Sequence, residues 1–143
     1  MFILQKNPID ASQARNSCHN PANGAIVIFE GMVRADEKQG HVVSELLYLA
    51  DTASVLAEGE KIIKEALSQF SITEAVCIQR VGQLKIAEIA VWIGVWAAHR
   101  DEAFKANRYI IEEIKKRLII WKKEFYTDGN SAWIYGSQTP IIS

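Results

Sequence analysis

The sequence predicts a single α+β domain of mixed, largely antiparallel strands with about three helices between them. Three observations carry this. Short runs rich in β-branched residues recur along the chain, as strands require. Two long stretches between them place apolar residues at helical spacing instead. The three prolines, Pro8, Pro21 and Pro140, all lie near the ends, so nothing breaks the elements between Pro21 and Pro140. A chain of 143 residues is long enough for one domain, 1–143, with a core of its own, and it has no repeat, low-complexity tract or linker.

Phe2–Gln5 reads as a short strand, followed by a helix from about Ile9 to Asn16. After the Asn23-Gly24 turn, Ala25–Arg34 is apolar for its first five residues, which predicts a buried strand. Ala35–Gly40 is polar and reads as a loop, and Val42–Ala50 as a second strand, antiparallel to the first. Asp51 or Thr52 can cap a helix running to about Phe70, with Val55, Leu56, Ile62, Ile63, Ala66, Leu67 and Phe70 at helical spacing. Gly59 interrupts it at a cost of up to ~1 kcal/mol. Glu74–Val81 and Glu88–Ala97 read as strands separated by a turn starting at Gly82. Both faces of the second are apolar, so it is central in a sheet or lies at an interface. His99-Arg100-Asp101 opens a third helix to about Leu118. A strand around Ile120–Phe125, an Asp128-Gly129 turn and Trp133-Ile134-Tyr135 follow.

Hydrophobic residues make up 49% and charged residues 23%, which places the chain among ordinary globular proteins. Sixteen basic against 17 acidic residues give a net charge of -1, which argues against a dedicated nucleic-acid binder. Cys77 lies in an apolar run and reads as a buried small hydrophobe. Cys18-His19 lacks a second pair to complete a metal site and reads as loop. Met1–Lys6 is too short for a signal peptide's apolar region, and no apolar run reaches the ~18 residues of a membrane span. A cytoplasmic, reducing setting with no membrane partner is expected.

The richest stretch is Lys115-Lys116-Arg117-Leu118-Ile119-Ile120-Trp121-Lys122-Lys123-Glu124, five cations around an apolar centre. Projected at about 100° per residue, Ile111, Leu118, Ile114, Ala103 and Ile110 form one apolar arc. Lys116 falls in the middle of the solvent face, whereas Lys115 lies about 20° past the arc's edge. Lys115 is therefore open to two readings: a snorkelling surface lysine, or an ammonium held at the core's rim to meet an anion. Lys122 also has two readings: plain alternation on a half-exposed strand, or a second ammonium converging on the pocket of Lys115. It shares a strand face with Glu124, opposite Trp121 and Lys123. His99-Arg100 at a strand-to-helix junction favours an anion through free N–H groups and the helix dipole. Arg34, ending the first long strand, suits bidentate phosphate recognition. There is no catalytic triad order, Gly-rich phosphate loop or metal-ligand spacing. The chemistry offered is lysine and arginine chemistry on an anionic substrate, with no metal or cofactor.

Several segments together resemble the large, catalytic subunit of molybdopterin synthase. These are Gly24–Arg34, Arg80–Leu84 with Glu88–Val91, Ala98–Phe104, Ile114–Arg117, Ile120–Glu124, and Asp128-Gly129 before Trp133. The resemblance implies an α/β-hammerhead-like domain that forms a homodimer within a heterotetramer. Its partners are a small ubiquitin-like sulfur-carrier subunit with a thiocarboxylated C-terminal glycine at each end, and the substrate cyclic pyranopterin monophosphate. Sulfur is then transferred twice, forming the dithiolene of molybdopterin in molybdenum cofactor biosynthesis. By position, Lys115 and Lys122 match the family's active-site lysines. Arg34, His99 and Arg100 match substrate- and phosphate-contacting residues, with Arg100 coming from the neighbouring protomer. Lys123 and Glu124 complete the strand motif.

Three departures from the family pattern stand out. Ala35-Asp36-Glu37-Lys38 replaces an Asn-rich turn, Tyr48-Leu49-Ala50-Asp51 replaces Tyr-Glu-Ala-Tyr, and Ile119 replaces a proline. The altered second strand leaves an alternative: a non-catalytic paralogue that binds pterin or a ubiquitin-like partner tail. Nucleic-acid binding through the basic stretch is a third reading, which Glu112, Glu113 and Glu124 dilute.

Overall fold

A computed structural model describes residues 1–134. Tyr135 and Pro140 lie outside the described residues.

Two sheets share the chain. The first has the order β1-β5-β7-β2, formed by β1 (Phe2–Gln5), β5 (Glu74–Arg80), β7 (Ile89–Ala97) and β2 (Ala25–Met32). Only β1 and β5 run parallel; the other pairs are antiparallel. In the second, β4 (His41–Ala50) lies between β8 (Ile120–Tyr126) on one edge and β3 (Glu37–Lys38) and β6 (Gly82–Lys85) on the other. The strand β9 (Ser131–Ile134) closes the far side of β8.

The helices follow from the patterns that predict them. Helix α1 (Ala11–Arg15) is shorter than expected, and its N-cap Asp10 accepts from the Gln13 N–H. Helix α2 (Thr52–Gln69) buries Val55, Gly59, Ile62, Ile63 and Ala66, leaving Leu56 and Leu67 at the rim. Gly59 is not a simple defect. A Cβ there would lie 2.5–2.6 Å from three atoms of the Phe2 ring, so the missing side chain lets β1 dock on the helix. Helix α3 (Arg100–Arg117) starts after His99 and buries Ala103, Ala106, Asn107, Ile110 and Ile114. The Asn107 amide donates to the carbonyls of Val27 and Ile93 and ties the helix to two neighbouring strands. Together α2 and α3 cover one face of the first sheet, while α1 helps cover Trp92 and Trp96 on the other.

Four expectations need correcting. The run Ala25–Arg34 forms not a buried strand but the sheet's edge, which stops at Met32, with Ile28, Phe29 and Met32 exposed. These three side chains face solvent in the single chain, whereas Val33 is buried and Ile26 and Val27 pack against the core, so the exposed ones mark an uncovered surface. The second strand does not pair with it: β2 pairs with β7, and β4 belongs to the other sheet. The loop Ala35–Gly40 contains β3, hairpinned to β4 through Gln39 and Gly40, both at positive φ. The segment after Gly82 is a four-residue strand before it turns. By contrast, β7 is central and buried from Ala90 to Ala97, as its two apolar faces require.

Candidate active site

A cleft of about 220 Å³ opens between the two sheets at the C-terminal end of α3. Gly31 and Met32 of β2, Gln79 of β5, Tyr48 of β4, Lys115 of α3 and Lys122 of β8 line it, over an apolar floor. The two lysines singled out in the sequence therefore meet in one place. Lys115 stands in the helix's last turn, and Leu118 ends that helix with extended backbone while its N–H still bonds Ile114. Ile119 is an exposed link to β8, so the turn from helix to strand forms without the proline of the family pattern.

Burial sets the electrostatics. Lys122 is half-buried, and desolvation lowers its pKa; Lys38 and Lys115 push the same way, whereas Glu124 and Asp36 oppose them. Lys122 has no ion-pair partner among the described residues. Directly across the β4–β8 ladder sits Tyr48, whose hydroxyl is pushed up to about 12 by burial and then by Glu124. At neutral pH it is a hydrogen-bond donor. Glu124 is only 3% exposed. Lys38 Nζ donates to its Oε2 at 2.9 Å, and the Tyr126 hydroxyl donates to its Oε1 at 2.9 Å. Lys116 is exposed and reaches Glu113 at 3.5 Å, which settles it as surface charge.

The remaining predicted residues divide. Arg34 follows β2 two residues beyond the cleft-lining Met32, exposed and paired to Asp36 at 2.7 Å. An exposed pair of this kind contributes only about 0–1 kcal/mol, so the guanidinium can be surrendered to an anion. His99 and Arg100, both exposed, lie at the opposite end of α3 from Lys115. Fifteen residues of helix separate Arg100 from Lys115, about 22 Å. One chain does not bring them to this cleft. Lys123 also lies elsewhere: it points to the other strand face, with its ammonium 5.3 Å from the Phe125 ring centre and 5.6 Å from that of Trp133.

Sequence reasoning missed Tyr48, Gln79, Lys38 and Asp36 as members of this region. Tyr48 was findable from the strand face it shares with Leu46 once the pairing of β4 with β8 was known. Nothing local marked Lys38, a lysine in a polar loop. Chemically, the cleft offers two amines and a phenol, with no carboxylate in its lining. No group of residues that could hold a metal ion occurs among the described residues. The arrangement suits an anionic ligand that needs its charge balanced and a proton moved.

The chain is similar to known proteins over most of its length. A family model described as MoaE protein matches residues 4–117. The molybdopterin synthase catalytic subunit of Pyrococcus abyssi is 42% identical over 94% of this chain and 91% of its own length. That of Thermoplasma volcanium is 39% identical, covering 89% and 90%. The crystal structure of molybdopterin synthase from Staphylococcus aureus superposes with a TM-score of 0.87 at 36% identity, covering 94% of this chain and 97% of that one. On family match, identity and fold alike, this chain belongs to the family of molybdopterin synthase catalytic subunits.

Proposed function

We propose that this chain catalyses sulfur transfer from the C-terminal thiocarboxylate of a small ubiquitin-like sulfur-carrier subunit to cyclic pyranopterin monophosphate, forming the dithiolene of molybdopterin. The observation that carries the reading is the convergence of Lys115 and Lys122 on one cleft, in a chain of this family. Both the attacking sulfur and the substrate's phosphate are anionic. Two ammonium groups in a partly desolvated cleft stabilise them and the charge that develops between them. Lys115 acts as acid/base or transient carbonyl partner and Lys122 supports it. Glu124 lies behind Lys122, out of the cleft's lining. Arg34, next to the cleft's mouth, exchanges Asp36 for the phosphate.

His99 and Arg100 enter from a second copy of the chain, since their own protomer holds them about 22 Å from Lys115. The exposed edge β2, with Ile28, Phe29 and Met32, offers apolar surface for such a homodimer. Lys123, on the far strand face, is left to the surface that meets the carrier subunit. No helix of the described residues is long and apolar enough to cross a membrane.

The test is reconstitution with the thiocarboxylated carrier and cyclic pyranopterin monophosphate, following dithiolene formation. Lys115→Ala should lose at least 10²-fold in turnover, on the order of one placed acid–base group, with its melting curve unchanged. Near-normal turnover in that variant would remove Lys115 from the mechanism.

A further inference from the structure

Glu124 is buried, yet both of its oxygens are taken by groups that do not line the cleft: Lys38 on one side and Tyr126 on the other. Lys122 lies two residues away on the same strand face, with the Cα atoms about 7 Å apart. A buried carboxylate so near an ammonium ordinarily pairs with it and holds it charged. Here a different lysine has taken that place. It comes from β3, the short arm of the hairpin with β4.

We propose that Lys38 is a positioning residue for the sulfur-transfer site: by occupying Glu124 it keeps the Lys122 amine unpaired, free to meet the substrate's anion and to exchange its proton. The proposal rests on the sulfur-transfer reading of the cleft. Five titratable groups face Lys122: Tyr48 from β4, Lys115 from α3, Glu124 from its own strand, Lys38 from β3 and Asp36 from the turn before it. Tyr48 stays neutral and adds no charge. Lys38 and Lys115 disfavour the ammonium, and Glu124 and Asp36 favour it. Loss of Lys38 therefore acts twice in one direction. It removes a repelling cation and frees one Glu124 oxygen to turn toward Lys122. The Tyr126 hydroxyl still donates to the other oxygen and keeps the side chain in place beside Lys122. A salt bridge with a merely structural role would change stability without lowering turnover at neutral pH in step with the titration of Lys122.

The experiment follows the Lys122 side chain by NMR in protein with isotopically labelled lysine ε-carbons, assigned by loss of the signal in Lys122→Arg. In Lys38→Met the titration should move to higher pH; in Lys38→Arg it should return to the wild-type position. Turnover at neutral pH should fall by about tenfold in Lys38→Met, part of the ~10²–10⁴-fold a placed acid–base group supplies. If Lys38→Met does not fold, Lys38→Gln, which keeps a donor but not the charge, must still shift the titration upward. An unmoved or lowered titration in a folded variant overturns the proposal. The titration needs no substrate. An upward shift in a protein whose wild type transfers no sulfur would count against the sulfur-transfer reading, and an absent shift beside normal turnover against Lys38 alone.

Discussion

Replacing Gly59 by alanine sets two effects of similar size against each other. Alanine inside a helix is worth about 1 kcal/mol over glycine, so α2 alone predicts stabilisation. The packing predicts the reverse. The new Cβ would sit 2.5–2.6 Å from the Phe2 ring, where ordinary carbon contacts are about 3.5–4.0 Å, so the ring must retreat by about 1 Å. Phe2 has little room to do so. It is 6% exposed, shares a core with Val55, Ile62 and Ile63, and sits in register with Cys77 on β5. Overpacking of this kind costs about 1–3 kcal/mol, and a confined aromatic ring belongs at the upper end. The net expectation is a loss of about 1–2 kcal/mol, or a melting temperature lower by about 3–7 °C. Calorimetry and urea midpoints measure it directly. The partner variant Phe2→Ala opens space. In that background Gly59→Ala should stabilise, giving a double-mutant coupling of opposite sign to the single effect. A Gly59→Ala protein more stable than wild type in the Phe2 background would refute the reasoning.

Two further predictions concern the scaffold. Asn107→Ala should cost about 1–3 kcal/mol in urea unfolding, because its amide serves two strand carbonyls, and Asn107→Asp should cost more, since an ionised carboxylate has no proton to give them. Glu65 is held by Arg117 and by the Tyr109 hydroxyl, which lower its pKa from 4.5 to about 2. A depressed folded pKa stabilises the fold above the unfolded value, and that share is lost as pH falls from 4.5 toward 2. Glu65→Gln should flatten the acid decline in that window, read as melting temperature against pH.

What was legible in the sequence had a local cause. Helices α2 and α3 were readable because 3.6-residue periodicity is written over eighteen residues each. The central place of β7 followed from its two apolar faces, and the different fates of Lys115 and Lys116 from 100° of helical rotation. What was not legible depended on partners distant in the chain. An apolar run looks the same whether a neighbouring strand or a second copy covers it, so β2 was mistaken for an interior strand. The pairing of β4 with β8 joins segments at least seventy residues apart, and with it came Tyr48 opposite Lys122. Lys38 reaches Glu124 across 86 positions, which no spacing rule encodes. The separation of Arg100 from Lys115 was implied by the family resemblance, and for His99 as well it is simply the length of a helix.

That helix has a consequence for genetics. If Arg100 serves the cleft of a second protomer, the two ends of α3 belong to different active sites. Alleles inactivated at Arg100 and at Lys115 then need not fail together. A mixed pair carries one cleft with both defects and one with neither, so two dead proteins restore activity when co-expressed, whereas two defects at the same end do not. Damage mapped to a single helix would thus sort into two complementation groups.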